Sequence, residues 1–444
     1  MKERTKKLRQ IMAEDDLREL KEEVSKFHPA DIAEFMQYLL PDEKQVVFSI
    51  LDTEAAADVL VELEDETRDF ILAGLESGRL SEIVDDMESD DAADIIDDLP
   101  DDVAQEVLEQ IDTDDAEDIQ RLMRYDEESA GGIMQTELVS VVQEETVNQA
   151  IEKIRSLADE VEDIHNVYVI DRFGKLTGIL PLRKLILAAP SKRIEDILEQ
   201  EPITVTVDVD QEEVARLFKK YDLVGLPVVD YVGRLVGRIT VDDIVDVLEE
   251  EATEDIIKLT GAVDDYAYSS SVLKSAGTRL PWLFASWMGG VLASLIIGFY
   301  ENTLIEAVVL AAFMPVIAGM GGNVASQSST IVVRGIAIGS IDLKRLWSVV
   351  FREVKIGLLL GVTYGVLLGV FASLYFVDVV NLWLVVGLGI FSSITIASTL
   401  GTLMPIMLHS MGFDPAISSG PFVTTATDVV SMLVYLVLAT AIIL

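Results

Sequence analysis

The 444-residue chain contains no cysteine and only three histidines, His28, His165 and His409. Disulfides and thiolate metal sites are excluded, and a zinc or copper centre lacks the nitrogen and sulfur donors it favours. Any metal bound here must be held by oxygen. Bases are scarce as well: 34 Lys and Arg stand against 77 Asp and Glu, a formal net charge of −43. That balance argues against nucleic acid and anionic head groups as partners of the charged part, and it favours cations. No cysteine nucleophile, phosphate-binding loop or histidine cluster points to an enzyme.

Charge is sparse and balanced in the last two-fifths. Residues 269–444 hold seven acids and seven bases, so the whole net charge lies in residues 1–268. The opening MKERTKKLRQ is basic but runs into an acidic segment instead of an apolar one, which is not a signal peptide and predicts a cytoplasmic N-terminus.

What is present begins with a repeat. Eight segments starting at residues 29, 41, 53, 65, 77, 89, 101 and 113 share a 12-residue period, among them PADIAEFM, TEAAADVL and SDDAADII. Each opens with Pro, Thr, Asp or Ser, suited to a helix N-cap or first turn. Acids that complement the helix dipole come next, and an apolar pair follows. The pattern predicts one short helix per segment. Because a two-turn helix is unstable alone, the helices are expected to stack into an all-α superhelical N-terminal domain, residues 1–128.

Gly131 and Gly132 mark a boundary. Two α/β units follow, NVYVIDRFGKLTGILPLRKLI from Asn166 and GLPVVDYVGRLVGRITVDDIV from Gly225, with Asp171/Asp230, Gly174/Gly233 and Gly178/Gly237 each 59 residues apart. They resemble tandem α/β cystathionine-β-synthase (CBS) domains, here 129–198 and 199–240, which often bind adenine nucleotides. An Asp near the start of the final helix commonly holds the ribose hydroxyls in that family. The second copy has Asp243 there and the first Lys184, so an adenine nucleotide stays an open expectation.

Residues 241–268 form a connecting segment. A helix over Val241–Leu259 is expected to set Ile244, Val245, Leu248, Ala252 and Ile256 on one face and Asp242, Asp246, Glu249, Glu250 and Glu254 on the other. Like charges at this spacing destabilise a helix, and a divalent cation would relieve them.

Uncharged runs over 280–300, 307–333, 356–377, 379–413 and 415–444 predict a five-helix α transmembrane domain, residues 269–444, each run crossing about 30 Å of hydrocarbon. Lys274, Arg279, Arg334, Lys344, Arg345, Arg352 and Lys355 fall on inner connections and Glu301, Glu306 and Asp378 on outer ones, so the C-terminus is expected outside. Two stretches are unusually polar or glycine-rich for lipid: MPVIAGMGGNVASQSSTIVVRG from Met314 and GPFVTTATD over Gly420–Asp428. Their prolines and glycines predict a loosened, interrupted helix lining an ion path, although small residues also serve close packing. Asn323, Gln327 and Asp428 together favour the path. One acid with amide and carbonyl oxygens suits a hydrated magnesium ion better than calcium, which wants six to eight direct oxygens, and leaves manganese and cobalt open.

In this order of parts the chain resembles the MgtE family of magnesium channels over essentially its whole length. The motifs that carry the likeness are P-x-x-x-G-x-G-G-N-x-x-x-Q-S, Pro315 to Ser328, and T-T-x-x-D, Thr424 to Asp428. The resemblance implies a homodimeric, multi-pass channel of the cell membrane in which Mg2+ is both cargo and regulator, closed when cytoplasmic Mg2+ binds between the acidic domains. It makes Asp428 the pore carboxylate and Asn323 a neighbour of the hydrated ion, with Gly319, Gln327, Thr424 and Thr425 along the path and the connecting helix as a plug. The regulatory ligands it implies are Asp90, Asp94, Gly132, Asp210, Glu212, Asp222, Asp243, Asp246, Glu251, Glu254 and Asp255. Ala325 and Ser431 stand where the family often has glycine; both are small, which predicts altered conductance or packing before lost function. A secondary transporter coupling Mg2+ to Na+ or H+ would use the same acids, but no inverted repeat is evident among the spans. A membrane-anchored nucleotide sensor fits the CBS pair and leaves Asp428 without a role.

Overall fold

The computed structural model describes residues 8–9, 11–12, 16–157, 161, 164–260, 272–337, 341, 346–377, 379–415 and 420–443. The chain divides into two compact units, Met1–Glu249 and Glu250–Leu444.

The first unit opens with α1 (Leu17–Val24), α2 (Pro29–Gln37), α3 (Pro41–Ser49), α4 (Thr53–Val61), α5 (Asp65–Leu72), α6 (Ser77–Asp85), α7 (Ser89–Asp97), α8 (Asp101–Leu108) and α9 (Thr113–Leu122). From α2 onward every helix begins where a 12-residue segment begins. The opening residues take the first helical position, with the cap one residue earlier: Asp52 accepts the Ala55 N–H at 3.1 Å and Asp112 the Asp114 N–H at 3.0 Å. Alternate helices pack on each other, α2 on α4, α4 on α6, α6 on α8, α3 on α5 and α7 on α9. The two columns enclose Leu60, Ile71, Leu80, Ile83, Ile96 and Ile119, all buried. Each such side chain contributes about 1.5–3 kcal/mol that a lone two-turn helix could not collect.

The α/β region follows as β1 (Ser140–Val142), α10 (Val147–Ser156), β2 (Asn166–Ile170), β3 (Leu176–Pro181), α11 (Leu182–Leu187), β4 (Glu199–Gln200), β5 (Val205–Thr206), α12 (Gln211–Tyr221), β6 (Gly225–Val229) and β7 (Leu235–Thr240). Two sheets form, ordered β1-β2-β3-β4 and β5-β6-β7, each with one parallel pair leading into an antiparallel hairpin. The matched residues explain the hairpins. Gly174 and Gly233 take φ of +80° and +84°, while Asp171 and Asp230 accept N–H bonds across the same turns. The chain exchanges segments between the copies. Residues 129–135 pair with the second, Ala130 N–H donating to the Val209 carbonyl and Gln135 bridging Arg238, whereas β4 closes the sheet of the first.

Helix α13 (Val241–Thr260) has the expected extent, and its buried stripe follows the expected apolar face only at Ile244. Ile244 and Val247 are buried, whereas Val245, Leu248 and Ile256 are exposed. The 3.6-residue period admits either stripe from the sequence, and the packing selects the one that also draws in Asp243, Glu251 and Glu254, all half-buried.

The second unit continues with α14 (Val272–Phe299), α15 (Glu301–Glu306), α16 (Leu310–Ala337), α17 (Leu346–Tyr375), α18 (Leu382–Ser410) and α19 (Pro421–Ile443). Among the described residues four helices are long and apolar enough to span a membrane: Arg279–Phe299 within α14, α17, α18 and α19. Helix α16 has the length, 28 residues, but its glycines, amides and serines set it apart from those four. The expected interruption is absent: α16 runs unbroken through Pro315, and Pro421 to Asp428 form the first turns of α19. Glycines serve close packing in the neighbouring helix. Along α17, Gly357, Gly361, Gly365 and Gly369 face α18 closely enough that a Cβ at Gly365 or Gly369 would stand 2.9 Å from a main-chain oxygen of Gly387 or Trp383. Lys344, Arg345, Asp378 and the side chains of Lys274 and Asp255 lie outside the described residues.

Candidate functional site

Two acidic sites stand out, one in each unit. In the membrane unit the first turns of α19 face α14 across a cavity of about 360 Å³, lined by Ser286, Gly289 and Gly290 on one side and Thr424, Thr425 and Asp428 on the other. Asp428 and both threonines are half-buried. Helix α16 comes close because Gly322 lacks a side chain: a Cβ there would stand 3.3 Å from Thr424 Cγ2 and 3.9 Å from Asp428 Oδ1. Gly319, Asn323, Gln327 and Thr330 recur at helical spacing and are exposed on α16. Asn323 and Gln327 are thus next to, not inside, the Asp428 cavity of a single chain. Behind this face, Gly321 packs on Ser393 and Ser431, and the Ser393 hydroxyl donates to the Ile317 carbonyl at 3.0 Å. Ser431, where glycine was the family expectation, makes a 2.8 Å hydroxyl contact with Ser393.

A second membrane acid escaped the sequence reading. Glu353 is 4% exposed and accepts the Ser328 hydroxyl at 3.2 Å, while its carbonyl accepts Ser398 at 2.7 Å. Helix α17 starts seven residues before Glu353, so the acid lies two turns inside the helix although the uncharged run begins only at Ile356.

In the soluble unit, Glu88, Asp90 and Asp91 bring carboxylate oxygens within 4.8 Å of one another at the start of α7. Asp90 is 7% exposed. The Gln135 amide donates to Glu88 at 3.0 Å, and the Ser89 hydroxyl donates to Glu137 at 2.8 Å. Asp243, at the start of α13, adds its charge to this group while accepting the Thr240 N–H at 3.0 Å and hydroxyl at 2.6 Å. Burial, and then the Asp243 charge, pushes Glu88 up to about 7 and Asp91 up to about 8. The same causes hold the Asp90 carboxyl well above its usual range. Burial also raises Asp243 and Asp246, the latter helped by Glu62. Arg238 moderates the shift of Glu88. Crowded, desolvated carboxylates of this kind gain most from a proton or a hard divalent cation.

Of the residues named from sequence, Asp90 and Asp243 are brought together, with Asp94 close enough to raise Asp91. Glu88, Asp91 and Gln135 were missed, since a 12-residue period does not say which acids the α/β region will cover. Others have local roles. Asp210 caps α12 through the Glu212 N–H, Glu212 pairs with Arg216 at 2.6 Å, and Asp222 ends α12 with φ +52°. The Gly132 N–H donates to the Ser129 carbonyl in a tight turn. A separate cavity of about 270 Å³ lies between the two α/β copies, lined by His165, Tyr168, Arg238, Thr240 and Asp242 among others. Asp243, the expected ribose partner, turns to Thr240 instead, and Lys184 pairs with Glu199 at 2.6 Å.

Comparison with known proteins adds a family likeness. Residues 314–438 match MgtE, described as a divalent cation transporter; residues 27–128 match the MgtE intracellular N domain; residues 130–191 and 194–250 match the CBS domain. The chain is 38% identical over 438 residues, 97% of each sequence, to the magnesium transporter MgtE of Thermus thermophilus. It is 38% identical over 323 residues, 73% of this chain and 71% of the relative, to that of Bacillus subtilis. A solved cytosolic domain of the Mg2+ channel MgtE in complex with ATP aligns with a TM-score of 0.53 at 37% identity, covering 55% of this chain and 99% of that one. The soluble part of a magnesium transporter aligns with a TM-score of 0.52 at 32% identity, covering 56% and 99%.

Proposed function

The chain belongs to the MgtE family of magnesium transporters, and from that membership we propose that it is a homodimeric Mg2+ channel of the cell membrane, closed by Mg2+ bound to its own soluble half. The observation that carries this reading is Asp428, half-buried beside Thr424, Thr425 and the bare backbone of Gly322. A carboxylate so placed attracts a divalent ion that keeps its water, and the neighbouring hydroxyls accept and donate to that water. Asn323 and Gln327 would be costly against lipid. Set against a second copy of the same face, they complete a wet path along α16, which then serves as a fifth span. Arg279 near the start of α14, Arg334 near the end of α16 and Arg352 and Lys355 in the first turns of α17, against Glu301 and Glu306 in α15, support a cytoplasmic N-terminus and an external C-terminus.

Closure follows from the acids around Asp90. When cytoplasmic Mg2+ is scarce, Glu88, Asp90, Asp91 and Asp243 repel one another; as it rises, the ion bridges α7 to the start of α13. Helix α13 then acts as the plug. Mg2+ needs only a higher affinity for the closed arrangement to shift the population. The cavity beside Arg238 and Asp242 offers an adenine nucleotide a place between the CBS copies, in line with the ATP complex of the relative's cytosolic domain.

The test is electrical. Inside-out patches carrying Mg2+ current, stepped from micromolar to about 10 mM cytoplasmic Mg2+, should lose openings as the ion rises, and Asp428→Ala should be silent throughout. Silent wild-type patches together with sodium-driven Mg2+ flux in vesicles would replace the channel with a coupled carrier.

A further inference from the structure

Helix α13 carries eight acids and one base, Lys258. That base makes two ion pairs. Its ammonium meets Glu254 one turn back on the same helix, and it meets Asp414 Oδ2 at 3.0 Å in the segment between α18 and α19. Asp414 is itself the lone charged side chain between Val379 and Thr427. The single base of the helix has therefore found the single acid of the stretch that leads into the Asp428 span. All three side chains are about one-third exposed, at 31%, 30% and 31%. An ordinary lysine ammonium is charged at physiological pH, so the two carboxylates share one fixed positive charge.

We propose that Lys258 is a positioning residue for gating: a tethered cation that clips the C-terminal half of α13 to the entry of the last span through Glu254 and Asp414. The inference deepens the channel reading and rests on it for its consequence. Without Lys258, the Glu254 and Asp414 carboxylates lose the cation they share, and the helix end is held less firmly to the entry of the last span. With Lys258, that end is held by the chain's own charge, so free Mg2+ has less work to do in setting the plug. The clip is distinct from the acids around Asp90, which lie in the first unit.

The experiment uses the full-length protein in nanodiscs and compares wild type, Lys258→Gln, Lys258→Arg and the charge swap Lys258→Asp/Asp414→Lys. Two quantities are read: the cytoplasmic Mg2+ concentration that half-closes the channel, and amide hydrogen exchange over residues 250–260. Lys258→Gln is expected to raise the half-closing concentration about three- to tenfold and to speed exchange by a similar factor, the range of a partly exposed ion-pair network. Lys258→Arg should stay near wild type, and the swap should recover most of the loss. Unchanged exchange and an unchanged half-closing concentration in Lys258→Gln would overturn the clip. A wild type that Mg2+ never closes would sink the channel reading instead, and hydrogen exchange would still decide whether Lys258 holds the helix.

Discussion

Ser328 on α16 donates its hydroxyl to Glu353 Oε2 on α17 at 3.2 Å, and both side chains are 4% exposed within the membrane unit. The pair fastens the polar segment that carries Asn323 and Gln327 to a neighbouring helix. Glu353→Gln keeps an acceptor oxygen at the same place and should leave the fold intact. Glu353→Leu strands the Ser328 hydroxyl and is expected to cost about 1–3 kcal/mol, read as a lower midpoint of thermal unfolding in detergent. Adding Ser328→Ala to Glu353→Leu should recover part of the loss, because no buried donor is then left unpaired.

The acids around Asp90 set a pH dependence whose sign follows from their direction of shift. Glu88 and Asp91 titrate near 7 and 8 in the folded chain, against about 4 when unfolded. Between those limits the folded state holds more protons, so stability falls as pH rises from about 4 to about 8. In EDTA the unfolding midpoint should therefore be lower at pH 8 than at pH 6. Mg2+ should restore more stability at pH 8, where the carboxylates are free to take it, and its binding should release protons near pH 7. Asp91→Asn should raise the EDTA midpoint and flatten the slope; a midpoint indifferent to pH in the wild type would contradict the arrangement.

Much of this was legible from one sequence. The 12-residue period located α2 to α9 because each short helix must announce its start with a cap or a proline, and Gly174 and Gly233 marked their hairpins because only a glycine sits easily at positive φ. Long-range packing was not legible. Nothing local tells Val245 from Val247 on an amphipathic helix, so which stripe of α13 is buried was not legible. Glycine and proline in α16 read as breaks, but the neighbouring helices stabilise an unbroken one, with Gly321 and Gly322 giving up side chains to Ser393 and Thr424. The acid cluster was half found: Asp90 and Asp243 were named, while Glu88 and Asp91 depend on how α7 meets the α/β region.

Close packing in the membrane unit separates two glycine substitutions of the same type. A Cβ on Gly401 would run into the Ala325 carbonyl oxygen and stand 3.0 Å from Ala325 Cα, main-chain atoms that cannot turn aside. Gly401→Ala is expected to destabilise the unit by about 1–3 kcal/mol. Gly319→Ala meets nothing within 4 Å in the single chain, so it should leave monomer packing alone and act, if at all, on the face proposed to meet a second copy. Thermal unfolding in detergent separates the first effect, and cross-linked dimer yield the second.

Asp428 carries the sharpest consequence for transport. Its carboxylate lies near the start of α19, in a cavity shared with Thr424, Thr425 and α14, and Gly322 keeps α16 from filling the space in front of it. Asp428→Asn preserves shape and hydrogen bonding but removes the charge that draws a divalent ion out of bulk water, so Mg2+ influx into proteoliposomes should fall on the order of tenfold or more. Gly322→Val leaves the charge and crowds the approach, adding methyl groups beside Thr424 and Asp428, and should reduce influx without changing which ion is preferred. Magnesium-sensitive dye trapped inside the vesicles reads both. Wild-type influx in Asp428→Asn, with the protein folded and at equal density, would move the ion path away from this carboxylate and toward the exposed amides of α16.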